Sequence, residues 1–356
     1  MDEQSVRDIL SGRRRGAAWS CLRAGLWAAS RPYAGAMRLR RWAYRRGLLR
    51  SRSAGVPVIC VGNLTTGGTG KTPMVAWVVE RLTEAGRRPA ILTRGYKAAE
   101  AGEAGEVRSD EARLLRELTG AAVVVRADRV AGAERAVADG ADVLVMDDGF
   151  QHRHLRRDLD IVLIDAIEPF GYGHCLPRGL LREGPSALAD AHAVVLTHSD
   201  EVPPERLTRL GERVARLARG ASHHVGVHRP SAVIDATGAE RPLDDLLGRK
   251  VYAFCGLAGP EHFFTTLAGL GARLTGRRAL DDHAAYTPEL LRRLVAEAKR
   301  SEAGILVTTQ KDYVKLAAMG AAPRVWQLAV RMDIVGGHER LVRRVLAAAG
   351  DCPRSP

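Results

Sequence analysis

The sequence holds a glycine-rich loop between an apolar run and a helical pattern, and few folds accommodate that combination. The run Val58–Gly62 leads into the loop, the loop ends in Gly70-Lys71-Thr72, and apolar residues then recur at helical spacing from Val75. A strand, a glycine-rich loop closing on Gly-Lys-Thr and a helix make up a P-loop. The sequence therefore predicts an α/β fold whose parallel sheet carries a phosphate-binding loop.

Backbone N–H groups of such a loop close around phosphate oxygens, and the positive end of the helix dipole adds to the attraction. The side chain of Lys71 is expected to reach the β- and γ-phosphates, and the hydroxyl of Thr72 to bind Mg²⁺. Thr65 stands where the usual pattern has its first glycine. The residues predicted to bind the nucleotide are Thr65, Thr66, Gly67, Gly68, Thr69, Gly70, Lys71 and Thr72.

A second apolar run, Val143–Met146, ends in two carboxylates, Asp147 and Asp148. In P-loop proteins a carboxylate after such a strand holds Mg²⁺, and the pattern leaves open which of the two contacts the metal directly. A guanine-binding protein would carry Asn-Lys-x-Asp after a late strand, but Thr197-His198-Ser199-Asp200 has histidine in place of lysine. The sequence therefore favours ATP as the nucleotide, with Mg²⁺ as its metal.

Apolar runs of strand length alternate with helical stretches from residue 57 onward, which is typical of a parallel sheet covered by helices. At roughly 100–200 residues per domain, the length indicates two domains. Turn residues near 220–230 mark the predicted boundary. We expect a basic amphipathic helical arm over residues 1–55, a P-loop NTPase-like ATP-binding domain over 56–225 and a smaller C-terminal α/β domain over 226–350. The strands are predicted at Pro57–Gly62, Pro89–Thr93, Ala122–Arg126, Val143–Asp147, Ile161–Asp165, Ala193–Thr197, Val251–Gly256, Gly304–Thr309 and Arg324–Val330.

The first 56 residues carry thirteen arginines against three acidic residues, so they supply most of the net charge of +13. Residues 17–36 are mostly apolar but include Arg23 and Arg31, and Pro32 is expected to interrupt any helix there, so the stretch is a poor candidate for a membrane-spanning helix. Basic residues beside aromatic and aliphatic ones suit a helix lying in the interface of an anionic membrane. The alternative is an amphipathic helix packed on its own domain, and nucleic acid is disfavoured because no nucleic-acid-binding motif accompanies the arm. The apolar positions at helical spacing are Trp19, Leu22, Leu26, Ala29 and Tyr33.

Several further residues are candidates for acceptor binding and proton transfer. Asp110-Glu111 opens a helical stretch, where the alternative role is helix capping. Asp281-Asp282-His283 lies in a polar loop and offers an Asp–His pair as a general base, although a loop histidine is more often merely solvated. Candidates for contacts with the phosphorylated acceptor are Asn63, Arg94, Arg129, Gln151, His152, Arg178 and Arg182.

Taken together, these motifs resemble the tetraacyldisaccharide 4′-kinase family. The family's unusual P-loop also lacks the first glycine, and its Asp-Asp-Gly-Phe-Gln-His string is very specific. The resemblance extends from about residue 20 to about residue 340. The matching segments are Thr65–Pro73, Thr93–Tyr96, Asp110-Glu111, Asp128–Val130, Asp147–His152, Phe170-Gly171, Leu176–Gly179, Leu181–Glu183, Gly259–Phe264, Asp282-His283 and Lys311-Asp312.

The resemblance implies transfer of the γ-phosphate of ATP to the 4′-hydroxyl of tetraacyldisaccharide 1-phosphate, giving lipid IVA. It implies two α/β/α domains, with Asp110 and His283 as the catalytic pair. It also implies that the arm docks on the cytoplasmic face of the bacterial inner membrane, as a peripheral or monotopic protein that needs no obligate protein partner. Three departures from the family pattern are Ser109, Ala284 and Gln310, and none replaces a predicted nucleotide ligand or a member of the pair.

Two other functions fit parts of the sequence. A P-loop NTPase switch would hydrolyse nucleotide to drive a protein partner, and a basic ATPase would bind nucleic acid in a salt-sensitive way. The Asp-Asp-Gly-Phe-Gln-His string, the second domain and the arm favour the lipid kinase over both.

Overall fold

The computed structural model describes residues 3–95, 109–257, 259–281, 286–317 and 325–350. In chain order the strands are β1 (Val58–Asn63), β2 (Pro89–Thr93), β3 (Ala122–Val125), β4 (Val143–Asp147), β5 (Leu159–Asp165), β6 (Ala193–Thr197), β7 (Ser222–Ile234), β8 (Glu240–Arg241), β9 (Lys250–Cys255), β10 (Arg273–Ala279), β11 (Ile305–Thr309) and β12 (Val325–Gly336). The α-helices are α1 (Glu3–Ser11), α2 (Ala17–Arg45), α3 (Lys71–Glu84), α4 (Asp110–Thr119), α5 (Arg129–Ala138), α6 (Pro204–Leu217), α7 (Pro260–Gly269), α8 (Pro288–Arg300), α9 (Gln310–Ala317) and α10 (His338–Ala349).

The chain forms two units, and the first comprises residues 4–228 with the chain from 332 onward. Within this unit the strands pair in the order β7-β6-β5-β1-β4-β2-β3, and every pair is parallel. A sheet of this kind needs helices on both faces, so its strands read as continuous apolar runs. The carboxyl ends of β1 and β4 meet at one edge, which brings the glycine-rich loop beside Asp147.

The burial of β1 shows that the sheet is covered on both faces. All six of its residues are buried. Val58 and Cys60 belong to one apolar cluster, whereas Ile59 and Val61 belong to a second cluster that includes the inner face of α3. Because alternate residues of a strand point to opposite faces, β1 is enclosed by two separate cores and its end is held rigidly.

The second unit comprises the described residues of 229–331. Its strands pair in parallel in the order β10-β9-β11-β12, and β8 pairs antiparallel with the end of β7. Helices α7 and α8 supply apolar residues to two clusters that include Val251 and Phe254 of β9.

These two units and helix α2 confirm the predicted class: a P-loop NTPase-like parallel sheet, a smaller α/β unit and an N-terminal helical arm. The exact domain bounds at 55/56 and 225/226 stay a prediction. The chain passes between the units inside β7 and inside β12.

Helix α2 corrects one expectation. Pro32 was expected to interrupt the arm, but a single helix runs from Ala17 to Arg45 with Pro32 inside it. Proline removes one helical hydrogen bond and crowds the carbonyl of the residue four positions earlier. That residue, Ala28, is exposed, so water can solvate the carbonyl and the helix tolerates the loss. Among the helices that the structure describes, none is long and apolar enough to cross a bilayer.

Candidate active site

The glycine-rich loop runs from the end of β1 to the first turn of α3. Gly70 precedes that turn with φ of 79°, in the left-handed region, and no side chain caps the helix. A Cβ at Gly70 would lie 2.3 Å from Nε2 of His228. Glycine is therefore required there for both backbone conformation and space. The uncapped N–H groups at the start of α3 are suited to binding an anion.

Hydrogen bonds to neighbouring segments and to Asn63 hold the loop in place. The N–H of Thr66 donates to the carbonyl of Leu180 at 2.8 Å, and the Thr197 hydroxyl, at the end of β6, donates to the carbonyl of Thr69 at 3.1 Å. Asn63 is buried, and its amide donates to the Thr69 hydroxyl at 3.0 Å. Thr66, Gly67 and Gly68 remain exposed. The exposed backbone of these residues is thus held in place by buried polar neighbours.

Lys71, Asp148 and Arg182 form a charged cluster beside the loop. Nζ of Lys71 lies 3.7 Å from Oδ1 of Asp148. Arg182 donates to both oxygens of Asp148, at 2.9 and 2.8 Å, and its Nε donates to the carbonyl of Thr65 at 3.1 Å. Nη2 of Arg182, which donates to Oδ1 of Asp148, also donates to the side-chain oxygen of Asn63. A bidentate contact between a guanidinium and a carboxylate fixes both the position and the orientation of the carboxylate.

Asp148 itself has a constrained backbone and a stabilised charge. Its φ is 53°, which is uncommon for residues other than glycine but tolerated best by Asp and Asn. Burial disfavours its charged form, but Lys71 and Arg182 outweigh burial and hold the pKa of Asp148 below its ordinary value. Asp148 is therefore an ionised carboxylate whose two cationic partners lie at the loop.

Asp147, the last residue of β4, has a different environment. It is buried, the hydroxyl of Thr93 donates to its Oδ2 at 3.5 Å, and its Oδ1 has no hydrogen-bond partner among the described residues. Burial raises the pKa of Asp147 to about 7, Lys71 opposes that rise, and Asp148 and Glu111 add to it. A buried carboxylate oxygen without a partner is costly unless a cation binds there. The residues present therefore fit a divalent cation.

The charges of Asp147 and Asp148 act on Arg129, and the charge of Arg129 acts in turn on His152. Arg129 is buried at the start of α5, where it donates to the carbonyl of Arg126 at 2.6 Å. Burial lowers the pKa of Arg129, and the charges of Asp147 and Asp148 act against that shift. Burial, followed by the charge of Arg129, lowers the pKa of His152 to about 4. His152 is therefore neutral at pH 7, and Gln151 next to it donates to the carbonyl of Asn63 at 2.9 Å.

The other predicted residues lie in several separate places. Asp110 is exposed in the first turn of α4, where the Ser109 hydroxyl accepts from the N–H of Ala112 and caps the helix. Arg94 is exposed just after β2. Arg178 donates to the carbonyl of Leu10, at the end of α1, at 2.7 Å. His283 lies outside the described residues.

The structure thus joins some of the predicted residues and separates others. Lys71, Asp148, Arg182 and Asn63 form one bonded cluster with the loop, and Gln151 bonds to the backbone of Asn63. Arg178 and Arg182 are close in sequence but have different partners.

A group of residues around Gly70 was not predicted. The rings of His198 and His228 lie 4.3 Å apart, Nδ1 of His198 lies 3.2 Å from Oδ1 of Asp165, and Thr197 bonds to the loop. The only sequence signal was the position of Thr197-His198-Ser199-Asp200 after a strand, which was considered solely for guanine recognition. In the structure Thr197 bonds to the loop, and the ring of His198 lies beside that of His228.

A glycine-rich loop at the N-terminus of a helix, beside a lysine and paired aspartates on a parallel sheet, defines a P-loop protein that binds nucleotide phosphates. Residues 22–349 match the family described as tetraacyldisaccharide-1-P 4′-kinase. This chain belongs to that family, and its members are kinases.

Individual relatives agree with the family match. The chain is 45% identical over 325 residues to the tetraacyldisaccharide 4′-kinase of Anaeromyxobacter dehalogenans strain 2CP-C, covering 87% of this chain and 86% of the relative. It is 35% identical over 345 residues to that of Desulfotalea psychrophila, covering 91% and 97%. Among solved structures, the "apo" form of LpxK from Aquifex aeolicus in complex with ATP is similar with a TM-score of 0.74 and 31% identity, covering 92% of this chain and 99% of that one.

Proposed function

We propose that this protein transfers the γ-phosphate of ATP to the 4′-hydroxyl of tetraacyldisaccharide 1-phosphate, giving lipid IVA in lipid A synthesis. The observation that carries the proposal is the family match over residues 22–349, which includes the loop, the aspartate pair and Arg182. The Aquifex relative was solved in complex with ATP, which supports ATP as the phosphate donor.

The loop supplies the phosphate site in this proposal. The backbone N–H groups of Thr66, Gly67 and Gly68 and the first turn of α3 surround the phosphates. Lys71 moves its charge from Asp148 to the β- and γ-phosphates when the nucleotide binds, because a polyphosphate offers more negative charge than one carboxylate already shared with Arg182.

Mg²⁺ belongs to this proposal as the partner of ATP. Thr72, Asp147 and Asp148 are the residues that would hold it, and the buried oxygen of Asp147 that has no described partner supports that choice. When bound, the ion neutralises charge on the phosphates that develops during transfer. The chain's own contribution is to keep Asp148 ionised through Lys71 and Arg182.

Asp110 and His283 are proposed to handle the proton of the acceptor. The oxygen of the 4′-hydroxyl forms a bond to the γ-phosphorus, the bond from that phosphorus to the β–γ bridging oxygen breaks, and ADP leaves. The hydroxyl proton passes to the Asp110–His283 pair. The exposed position of Asp110 in the first turn of α4 supports access to a substrate.

Contacts with the phosphorylated sugar are proposed for the remaining candidates. Arg94 is exposed and therefore available to an acceptor phosphate. Arg129 interacts with the charges of both aspartates, and His152 interacts with the charge of Arg129. Arg178 would first have to leave the carbonyl of Leu10. The contact of Asn63 with substrate stays a prediction, because its side chain is bonded within the loop.

We propose that the arm holds the enzyme on the cytoplasmic face of the inner membrane, where its lipid substrate is inserted. Seven of the ten large, exposed apolar side chains in the part of the chain that the structure describes lie between residues 6 and 49. Exposed arginines of α2 stand among them. Apolar side chains with cationic neighbours suit an anionic bilayer surface. These apolar residues are Val6, Leu22, Trp27, Leu39, Trp42, Leu48 and Leu49.

The test of the proposal is transfer of label from γ-labelled ATP to tetraacyldisaccharide 1-phosphate in detergent micelles. The expected product is a labelled bisphosphorylated lipid. Label found only as free phosphate, with the lipid unchanged in several detergents, would contradict the proposal and favour an NTPase switch.

A further inference from the structure

The inner edge of α2 bonds to the backbone of two residues that build the site. The hydroxyl of Tyr33 donates to the carbonyl of Arg182 at 3.0 Å, and the guanidinium of Arg40 donates to the carbonyl of Gln151 at 3.0 Å. Both contacts are partly buried and join residues more than 100 positions apart. The arm therefore reaches the catalytic edge of the sheet.

The side chains of those two residues bond to Asn63, Arg182 to its side chain and Gln151 to its backbone carbonyl. Arg182 bonds to Asp148, to the side chain of Asn63 and to the carbonyl of Thr65. Gln151 donates to the carbonyl of Asn63 at 2.9 Å. A hydrogen bond to a carbonyl fixes the plane of its peptide, and that plane sets the direction in which the neighbouring side chain leaves the backbone.

Further contacts seat the same helix on the segment that follows Arg182. Arg41 donates to the Ser186 hydroxyl at 3.1 Å, and Arg45 lies 2.6 Å from Asp190. The buried guanidinium of Arg153 bridges Asp190 at 2.8 Å and Glu183 at 3.2 Å. Breaking a buried ion pair on one side is costly, so Arg153 fixes the segment over residues 183–190. The half-exposed Arg45 joins the end of α2 to the same Asp190.

We propose that Tyr33 and Arg40 are positioning residues, which aim Arg182 and Gln151 at the nucleotide loop so that the seating of the arm sets the geometry of phosphoryl transfer. This inference rests on the proposed function for its kinetic test. It assigns α2 a second task besides membrane attachment: the helix that contacts the lipid surface also holds the backbone of the catalytic edge.

The kinetic test compares Tyr33→Phe with Tyr44→Phe on vesicles of phosphatidylethanolamine and phosphatidylglycerol that contain the lipid acceptor. Both changes remove one hydroxyl from α2, and the Tyr44 hydroxyl has no hydrogen bond among the described residues. We expect Tyr33→Phe to lower kcat roughly two- to ten-fold, the worth of one hydrogen bond, with KM for the lipid and vesicle sedimentation unchanged. Tyr44→Phe should retain the wild-type kcat.

A second pair of variants tests Arg40. Arg40→Met removes the donor to Gln151, whereas Arg40→Lys keeps a cationic donor. We expect the methionine variant to lower kcat by a similar factor and the lysine variant to restore most of it. A merely structural role would instead lower the thermal midpoint of unfolding and leave kcat of the folded fraction unchanged, and that outcome would overturn the inference.

Hydrogen exchange separates this inference from the proposed function, because it needs no lipid phosphorylation. In the free protein, we expect Tyr33→Phe to speed exchange in peptides that span residues 147–153 and 180–184, and Tyr44→Phe to leave them unchanged. If the wild type transferred no phosphate to lipid but this difference held, only the proposed function would fail. Equal exchange in both variants would overturn the inference.

Discussion

The nucleotide-loop edge and the helical arm both carry many cationic side chains, but they use them differently. At the loop edge, Lys71 and Arg182 contact the Asp148 carboxylate and offset its burial. On α2, the inner arginines have three different partners: Arg40 a backbone carbonyl, Arg41 a hydroxyl and Arg45 the carboxylate of Asp190. The outer arginines stand in solvent beside exposed apolar side chains.

The difference agrees with what each region is proposed to bind. A transferring phosphate needs charges already oriented, since reorganising them during the reaction would cost free energy. A bilayer surface needs only a local excess of positive charge and apolar area, and each arginine near it contributes about 1 kcal/mol regardless of its detailed direction. Substitutions at the loop edge should therefore affect turnover, whereas those on the outer side of the arm should affect attachment.

The largest effect is expected from Lys71→Ala. It removes the charge that faces the phosphates and leaves Asp148 with Arg182 as its close cationic partner. We expect kcat to fall by about 10²–10³-fold or more, the usual cost of losing one preorganised electrostatic contact. The measurement is labelled phosphate transfer in micelles. The control is Lys250→Ala, which removes only an exposed pair with Glu302. Wild-type turnover in the first variant would refute the role of Lys71.

The next largest effect is expected from a change at Asp110, which is proposed to take the proton of the acceptor. Asp110→Asn keeps the size of the side chain and removes its ability to take a proton. We expect kcat to fall by about 10²-fold or more, while ATP affinity stays within a factor of about three. Equilibrium ATP binding and single-turnover kinetics separate the two quantities. A parallel loss of ATP affinity would show that Asp110 serves the nucleotide instead of the acceptor.

A substitution on the arm should have a smaller effect, and the affected quantity should be membrane binding. Leu39→Ser removes an apolar side chain that is 64% exposed, and Leu247→Ser removes one that is 72% exposed in the other unit. We expect the first to weaken sedimentation with anionic vesicles by roughly ten-fold, since burying one leucine is worth about 1.5–3 kcal/mol. The second should leave sedimentation unchanged. If both variants sedimented equally with the vesicles, the proposal that the arm is the membrane-binding surface would be contradicted.

The smallest expected effect is on the pH dependence of the free energy of unfolding. Burial and Arg129 lower the pKa of His152 to about 4, while an unfolded histidine titrates near about 6.5. Between these values the unfolded chain binds a proton that the folded chain does not, so stability falls as pH falls from 6.5 towards 4 and the contribution levels off below that. His152→Gln should flatten this slope in urea unfolding at pH 7 and pH 5. The exposed His154 provides the control, and an unchanged slope in His152→Gln would contradict the assignment.

Much of the sheet could be predicted because its strands are short apolar runs. Strands β2, β4 and β6 have the bounds expected from the sequence. Strand β7 was missed because His223, His224 and the Arg229-Pro230 pair interrupt its apolar pattern. Strand β10 was also missed, because it lies at the end of its unit's strand order and an edge strand needs no continuous apolar run.

The site could be predicted where the signal is local. The loop and the paired aspartates are contiguous motifs whose chemistry follows from residue type and spacing. The roles of the arginines were harder to distinguish, because Arg178 and Arg182 have the same chemistry and are four positions apart. One donates to the carbonyl of Leu10 and the other to Asp148. The sequence also left open whether the apolar face that includes Tyr33 meets a membrane or packs on its own domain, and in the structure Tyr33 bonds to the carbonyl of Arg182.

The order of elements, the loop, the aspartate pair and the basic arm therefore follow from residues that are neighbours in the chain, since turns, helix starts and strand ends depend on a few consecutive positions. Other features depend on contacts between distant segments, such as that between Arg182 and Asn63, 119 positions apart. They include the cations that pair with Asp148, the oxygen of Asp147 that has no hydrogen-bond partner among the described residues and the side of α2 that meets the body of the protein. Such contacts form only when the packed sheet brings distant segments together, so the folded structure alone assigns them.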